Sequence, residues 1–236
     1  DAKYKVGLAN YKPTASNNLL ADLNRQKDNV LYQSLMENAI TLVQNKNNLL
    51  PLKNLDLCKI AYVNMGTADA SPFVKTLKKY TQVDMVSAND LDTLVFKLNQ
   101  YNTVIIGLHT SNSNPWKPYQ FSKKELVWLN EIARNNTVIL TAFTKPYALN
   151  DITSFSNIES VVMAYQNSNI AQETAAQIIF GGLPARGILP VSVGAFFSAG
   201  HGISTKAIDR LSYGFPESVD MNSASLNKID SVATYA

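Results

Sequence analysis

Between Lys59 and Gln166 the chain repeats one phrase: a short apolar run, a polar turn, then an amphipathic segment. The runs are KIAYVNMG (59–66), QVDMVSA (82–88), TVIIGLH (103–109), TVILTAF (137–143) and IESVVMAYQ (158–166). They are rich in β-branched residues and apolar at consecutive positions, the pattern of strands buried on both faces. Helical patterns fill the gaps. SPFVKTLKKY places Ser71 as an N-cap and Pro72 at the first helical position, where a missing N–H costs nothing. SKKELVWLNEIARNN has Ser122 and Glu125 in capping-box spacing and sets Leu126, Leu129, Ile132 and Ala133 on one face. NIAQETAAQIIFGG carries Ile170, Ala171, Thr174, Ala175, Ile178 and Ile179 on one stripe.

Doubly buried strands alternating with helices predict an α/β fold. The expected form is a three-layer αβα sandwich around a mostly parallel sheet of five to six strands, flavodoxin- or Rossmann-like, with helical N- and C-terminal extensions. A chain of 236 residues that is 46% hydrophobic can fill the core of one such domain and its appendages. The phrase ends in IIFGGLPARGILPVSV (178–193). Gly181 and Gly182 can end a helix with a left-handed residue, Pro184 forbids its continuation, and Gly187 permits a tight reversal. Pro190, with no N–H to donate, fits the start of an edge strand. The run is therefore expected to be a hinge from the last helix to an edge strand.

The two ends read differently. Residues 18–40 form one long helical pattern (Leu19, Leu20, Leu23, Val30, Leu31, Leu35) after the turn-rich GLANYKPTASNN, and a final helix is expected from about Ser223. The chain starts without Met and its opening reads as the middle of a longer protein, so it is expected to be a fragment. The net charge of +3 is spread along the chain, which gives no support for nucleic acid or membrane surfaces as partners. The single Cys58 excludes an internal disulfide and a cysteine metal cluster. With only His109 and His201, a histidine-rich metal site is implausible too, and no metal or cofactor is expected.

Open parallel sheets bind ligands in the loops after their strands. The longest such loop is HTSNSNPWKPYQF, His109 to Phe121. Its histidine, hydroxyls, amides and aromatics suit stacking on a sugar ring and bonding its hydroxyls, which makes His109, Asn112, Trp116 and Tyr119 the candidate substrate-binding residues. The bland alternative is an ordinary surface loop with Trp116 tucked under it or against a neighbouring domain. No carboxylate stands between Asp92 and Glu125, and Glu125 is better explained as a capping residue. A glycosidase-type acid needs a carboxyl beside the scissile bond, which this loop cannot supply; no catalytic residue is assigned.

Other signals are weaker. Ser225 and Lys228 satisfy S-x-x-K without any companion motif, and read as a helix start. GGLPARG follows a helix and precedes a strand, the reverse of the order that seats phosphate on a helix N-terminus. Asn135-Asn136-Thr137 matches a glycosylation sequon of no clear meaning. A receiver module would want acidic residues at the ends of its first and third strands, where only Asp69 stands; a nucleotide module would want a Gly-rich first turn, where Gly66 is alone.

Two segments resist generic explanation: ENAITLVQNKNNLLPLKN (37–54) and MAYQNSNIAQETAAQIIFGGLPARGILPVSV (163–193). Together, in order from Ala39 to about Val193, they resemble the C-terminal sandwich domain of family 3 glycoside hydrolases. The first is similar to that domain's opening strand, the second to its exit motif G-x-x-P-x-G-x-L-P. The resemblance implies that 1–38 is a linker and lead-in helix from an upstream catalytic barrel, 39–200 the sandwich domain, and 201–236 a linker and first helix towards a downstream domain. It implies that the nucleophilic Asp lies in the barrel. In the β-glucosidase-like branch the sandwich supplies the acid/base Glu, which the loop from His109 to Phe121 lacks. The branch acting on β-N-acetylglucosaminides uses an Asp-His pair on a barrel loop, so the absence favours that branch. YGFPESVDMNSASLNKIDSVATYA (213–236) is similar to the start of a β-lactamase-like serine hydrolase domain carried by some bacterial members, which implies a periplasmic or secreted protein. On this reading the partners are the barrel of the same chain and a β-linked sugar at the domain interface, and the fragment alone is inactive. The rival readings are a structural spacer and a flavodoxin-like small-ligand module.

Overall fold

The computed structural model describes residues 1–13, 15–114, 116 and 119–235. The chain divides into two compact units, Tyr32–Gly214 and Asp1–Leu31 with Phe215–Ala236. The larger holds strands β1 (Thr41–Asn45), β2 (Ile60–Gly66), β3 (Val83–Met85), β4 (Thr103–His109), β5 (Val138–Phe143) and β6 (Ser160–Met163). They form one sheet in the order β1-β6-β5-β4-β2-β3. All neighbours are parallel except β1, which runs antiparallel to β6 with a bulge between Leu42 and Gln44. The α/β sandwich expected from the sequence is the observed fold.

Strand periodicity sorts the side chains into two cores. Ala61, Val63, Met65, Val104, Ile106, Leu108, Val138 and Leu140 face one way, under α5 (Leu91–Leu98) and α6 (Lys123–Asn135). Ile60, Tyr62, Ile105, Ile139, Phe143 and Val162 face the other, under α4 (Ser71–Leu77) and α7 (Asn169–Phe180). Every residue of β4 and β5 is buried. Each fully buried Val, Ile, Leu or Phe contributes about 1.5–3 kcal/mol, so the strands hold together by stuffing two layers at once.

Local signals mostly act as their residue types dictate. Ser122 and Glu125 form a complete capping box at the start of α6. Gly181 ends α7 in the left-handed conformation, φ 77°, where an added Cβ would also lie 2.7 Å from Pro51. At α4 the N-cap is Ala70 rather than Ser71; the Ser71 N–H and hydroxyl both bond Asp69 Oδ1 instead.

The segment after α7 is not an edge strand. Pro184 and Pro190 remove donors, and 183–193 runs irregularly, touching strand geometry only in an isolated bridge from Val193 to Phe197. One edge of the sheet is β1, and the chain returns to cover it: Ile203 N–H donates to Leu42 O (2.8 Å) and His201 Nε2 to Val43 O (2.8 Å). Leu189 N–H donates to His201 O (2.8 Å), pinning the outgoing arm to the returning one. Gly187 serves close packing rather than a reversal, since a Cβ there would sit 2.2 Å from Ala39 O.

The smaller unit holds α1 (Ala2–Lys5), α2 (Leu19–Leu23), the start of α3 (Gln26–Ala39) and α8 (Ser223–Tyr235). The helical pattern of 18–40 breaks at Asn24, whose side-chain amide bonds Leu20 O (2.7 Å). Helices α1 and α2 bury no residue. Helix α8 starts at Ser223, as the sequence predicts, and leaves Ile229 and Val232 exposed. Ser225 stands in its first turn with its N–H on Asn222 Oδ1 (3.0 Å).

Candidate functional site

The carboxyl ends of β2 and β4 open into a cleft of about 490 Å³. Its walls are the turn after β2 and the loop after β4, with Thr67, Thr110, Ser111 and Gln120 offering neutral polar groups. A second cavity of about 440 Å³ shares Thr67 and Ser111 and reaches Asn112, Gln166 and Asn167. Gly66 ends β2 at φ 86°, and a Cβ there would fall 2.1 Å from His109 O, so only glycine lets the two strand ends meet this closely.

Two carboxylates border the cavities, and both are engaged. Glu125 Oε1 accepts from Gly66 N–H (2.7 Å) and Oε2 from Ser122 N–H (2.7 Å). The residue thus caps α6 and braces the turn after β2 against it, a second role that capping-box spacing does not reveal. Asp69 accepts from the Ser71 hydroxyl and N–H, and these bonds hold its carboxyl below the usual range. At Asp69 these donors favour the ionised form, the opposite of what a general acid needs, and at Glu125 both carboxylate oxygens are occupied by backbone N–H groups.

The four sequence candidates separate. His109 is fully buried, not on the surface of the loop it begins. Its ring stacks on Phe143 at 4.4 Å between centroids, Nε2 meets Tyr62 Oη (2.8 Å) and Nδ1 meets Asn167 Oδ1 (2.6 Å). With both nitrogens engaged, it has no group left for a ligand in this arrangement. Burial holds its pKa at about 4, so the ring is neutral near pH 7. Asn112 lies exposed, its Oδ1 accepting from Asn167 N–H (2.6 Å). Trp116 is 91% exposed. Tyr119 is half-buried, with Lys145 Nζ 4.8 Å over its ring and its carbonyl accepting from Thr144 Oγ1 (2.8 Å). Pro115, Lys117 and Pro118 of the loop lie outside the described residues.

Tyr62, Gly107 and Asn167 were not among the candidates, yet they organise the site. A Cβ on Gly107 would lie 2.4 Å from His109 Nε2 and 2.7 Å from Tyr62 Oη, so its bare backbone makes room for their hydrogen bond. The signal was available: Ile105, Gly107 and His109 share one face of a strand buried on both sides. Asn167 is delivered by a strained turn. Tyr165 has φ 62° and Gln166 N–H donates to Ala164 O (2.7 Å), the three-residue γ-turn that side chains disfavour.

No protein-family model matches the sequence, and no curated protein matches it either. Solved structures do match in fold. A fungal multi-domain GH3 β-N-acetylglucosaminidase, described as having a GCN5-related glucosamine N-acetyltransferase region, aligns at 22% identity and TM-score 0.59 over 74% of this chain and 20% of its own. The β-glucoside phosphorylase BglX aligns at 17% identity and TM-score 0.65, over 82% and 37% respectively. A glycoside hydrolase family 3 β-N-acetylglucosaminidase from Paenibacillus sp. str. FPU-7 aligns at 14% identity and TM-score 0.55, over 78% and 35%. At these identities the likeness is one of fold, and the chain spans between a fifth and little more than a third of the length of these three neighbours.

Proposed function

We propose that the chain is a non-catalytic sandwich domain of a family 3 glycoside hydrolase, of the type acting on terminal β-N-acetylglucosaminides. The observation that carries the reading is the cleft without a free acid. Glu125 is engaged by backbone N–H groups through both oxygens and Asp69 by the N–H and hydroxyl of Ser71 through Oδ1, which supports a reading in which the chemistry comes from elsewhere in the protein. The similar fold of enzymes described as β-N-acetylglucosaminidases and of one described as a β-glucoside phosphorylase supports the family, and the choice of N-acetylglucosaminides rests on the acid-free loop from His109 to Phe121. In this reading a barrel of the same protein supplies the nucleophile and acid/base for a retaining two-step hydrolysis, and the sandwich buries apolar surface against it. The exposed Trp116 and the amide of Asn112 wall one side of the sugar site. A downstream serine hydrolase domain and a periplasmic or secreted location belong to the same proposal and rest on the sequence resemblance alone.

The test compares this chain with the product of the coding sequence extended on both sides, each assayed on aryl β-N-acetylglucosaminide and aryl β-glucoside. The reading expects turnover from the extended protein only, and faster on the N-acetylglucosaminide. Turnover by the chain alone, or an extended protein that hydrolyses neither glycoside, sinks it.

A further inference from the structure

We propose that helix α3 is a docking strap for the cleft: the strained turn after β6 holds its shape because α3 is seated, and relaxes when α3 lifts. The contact that carries this is the Tyr32 hydroxyl, set between Gln166 and Ser168. The inference goes beyond the proposed function and depends only on the geometry of this chain.

Gln166, Asn167 and Ser168 line the cavity of about 440 Å³. They follow Tyr165, whose positive φ a side chain disfavours, and such backbone persists only where neighbouring groups over-determine it. Two of the ties that hold it run to α3. Tyr32 Oη lies 2.7 Å from both Gln166 Oε1 and Ser168 Oγ. A tyrosine carries one hydroxyl hydrogen, and the side-chain carbonyl oxygen of Gln166 can only accept. Tyr32 therefore donates to Gln166, and the Ser168 hydroxyl donates to Tyr32 while its oxygen accepts from Ala171 N–H (3.3 Å) as the N-cap of α7. The second tie starts at the strained residue itself. Thr41 Oγ1 donates to the carbonyl of Ala39, the last residue of α3 (2.9 Å), so Tyr165 Oη donates to Thr41 (2.6 Å). Asn167, between the two residues that Tyr32 holds, carries the order further. Its N–H donates to Asn112 Oδ1 (2.6 Å) in the loop after β4 and its Nδ2 to Asp69 O (2.9 Å) in the turn after β2.

The strap is lightly held. Of the 14 residues of α3, all of them described, Met36 alone is buried, while Leu31 and Leu35 lie exposed. Helix α7, on the other side of the turn, is buried along most of its length. An element with few buried contacts opens at a lower free energy than the core it lies on. Lifting α3 takes the Tyr32 hydroxyl from the turn and frees Tyr165 to leave its positive φ, while the sheet beneath keeps its own ladder of bonds. The helix on which the chain enters the sandwich thus sets the shape of one wall of the cleft.

Hydrogen exchange of the whole chain at pH 7, read by mass spectrometry, tests the strap. Tyr32→Phe keeps the ring and removes the hydroxyl; exchange at 164–168 should rise about tenfold while β4 and β5 stay protected. Met36→Ala loosens the seat of α3 and removes neither tie; it should speed exchange at 32–39 and at 164–168 by the same factor. A purely local bond would leave the turn unmoved in this second variant. A turn that stays protected in either variant, unequal factors for helix and turn in Met36→Ala, or a sheet that opens along with them, overturns the proposal. Should a variant fail to fold, the native chain in sub-denaturing urea decides: 32–39 and 164–168 must open together, with one urea dependence and before β4 and β5, and separate openings overturn it.

Discussion

His109 and Trp116 open the same loop seven positions apart, and they occupy opposite extremes: the first is fully buried, the second 91% exposed. Both are aromatic, and both read from the sequence as surface groups able to meet a sugar. What separates them is the strand. His109 is the last residue of β4 and inherits its inward direction from Ile105 and Gly107, while Trp116 lies past the point where sheet bonding dictates orientation. The root of the loop is therefore part of the core, while Trp116 is open to solvent. Function assigned by residue type alone confuses the two.

That contrast can be broken hardest at Gly107. Gly107→Ala drives a methyl into the Tyr62–His109 bond and should cost about 4 kcal/mol, from overpacking plus a severed buried hydrogen bond. Urea unfolding measures it; a cost below about 1 kcal/mol would mean the pair can shift at little expense.

Acid comes next. The unfolded chain binds a proton at His109 near 6.5 and the folded chain only near 4, so between these values the unfolded state holds more protons and stability falls as pH falls. The loss should reach about 3 kcal/mol by pH 4 and be absent in His109→Gln. Carboxylates held low by hydrogen bonds, such as Asp90 through Thr93, begin to lose their contribution from about pH 5 downward, so the part of the loss between pH 6.5 and pH 5 reports His109. A native profile flat from pH 7 to pH 4.5 would show the root to be wet.

At the tip the expectation reverses. Trp116→Ala should change stability by less than about 0.5 kcal/mol, because the ring is 91% exposed. In the extended enzyme, raised KM or lowered kcat would assign it to the sugar wall, and unchanged kinetics would leave the tip a spacer.

Legibility in the sequence follows the same division. The repeating strand phrases, the Ser122–Glu125 capping box and the Gly181 helix end were plain because each depends on local chemistry that a few neighbouring residues determine. The edge of the sheet was not: Pro184 and Pro190 mark a chain unfit for strand bonding, but which backbone then covers β1 depends on residues 201–203 returning from a distance. Asn167 escaped notice for the same reason, since it binds segments 55 and 98 positions away in sequence. Trp116 could be singled out by type, while its exposure is a property of the folded loop that residue type does not determine.

The central claim is that the carboxylates of this cleft brace the fold and do not act as acids. Glu125→Gln, measured for stability and for hydrolysis of aryl β-N-acetylglucosaminide, tests it most directly. An amide keeps one acceptor but presents an N–H to the other donor, so the account predicts a loss of about 1–2 kcal/mol and no turnover before or after the change. A native chain that hydrolyses the glycoside and loses that activity in Glu125→Gln would contradict it.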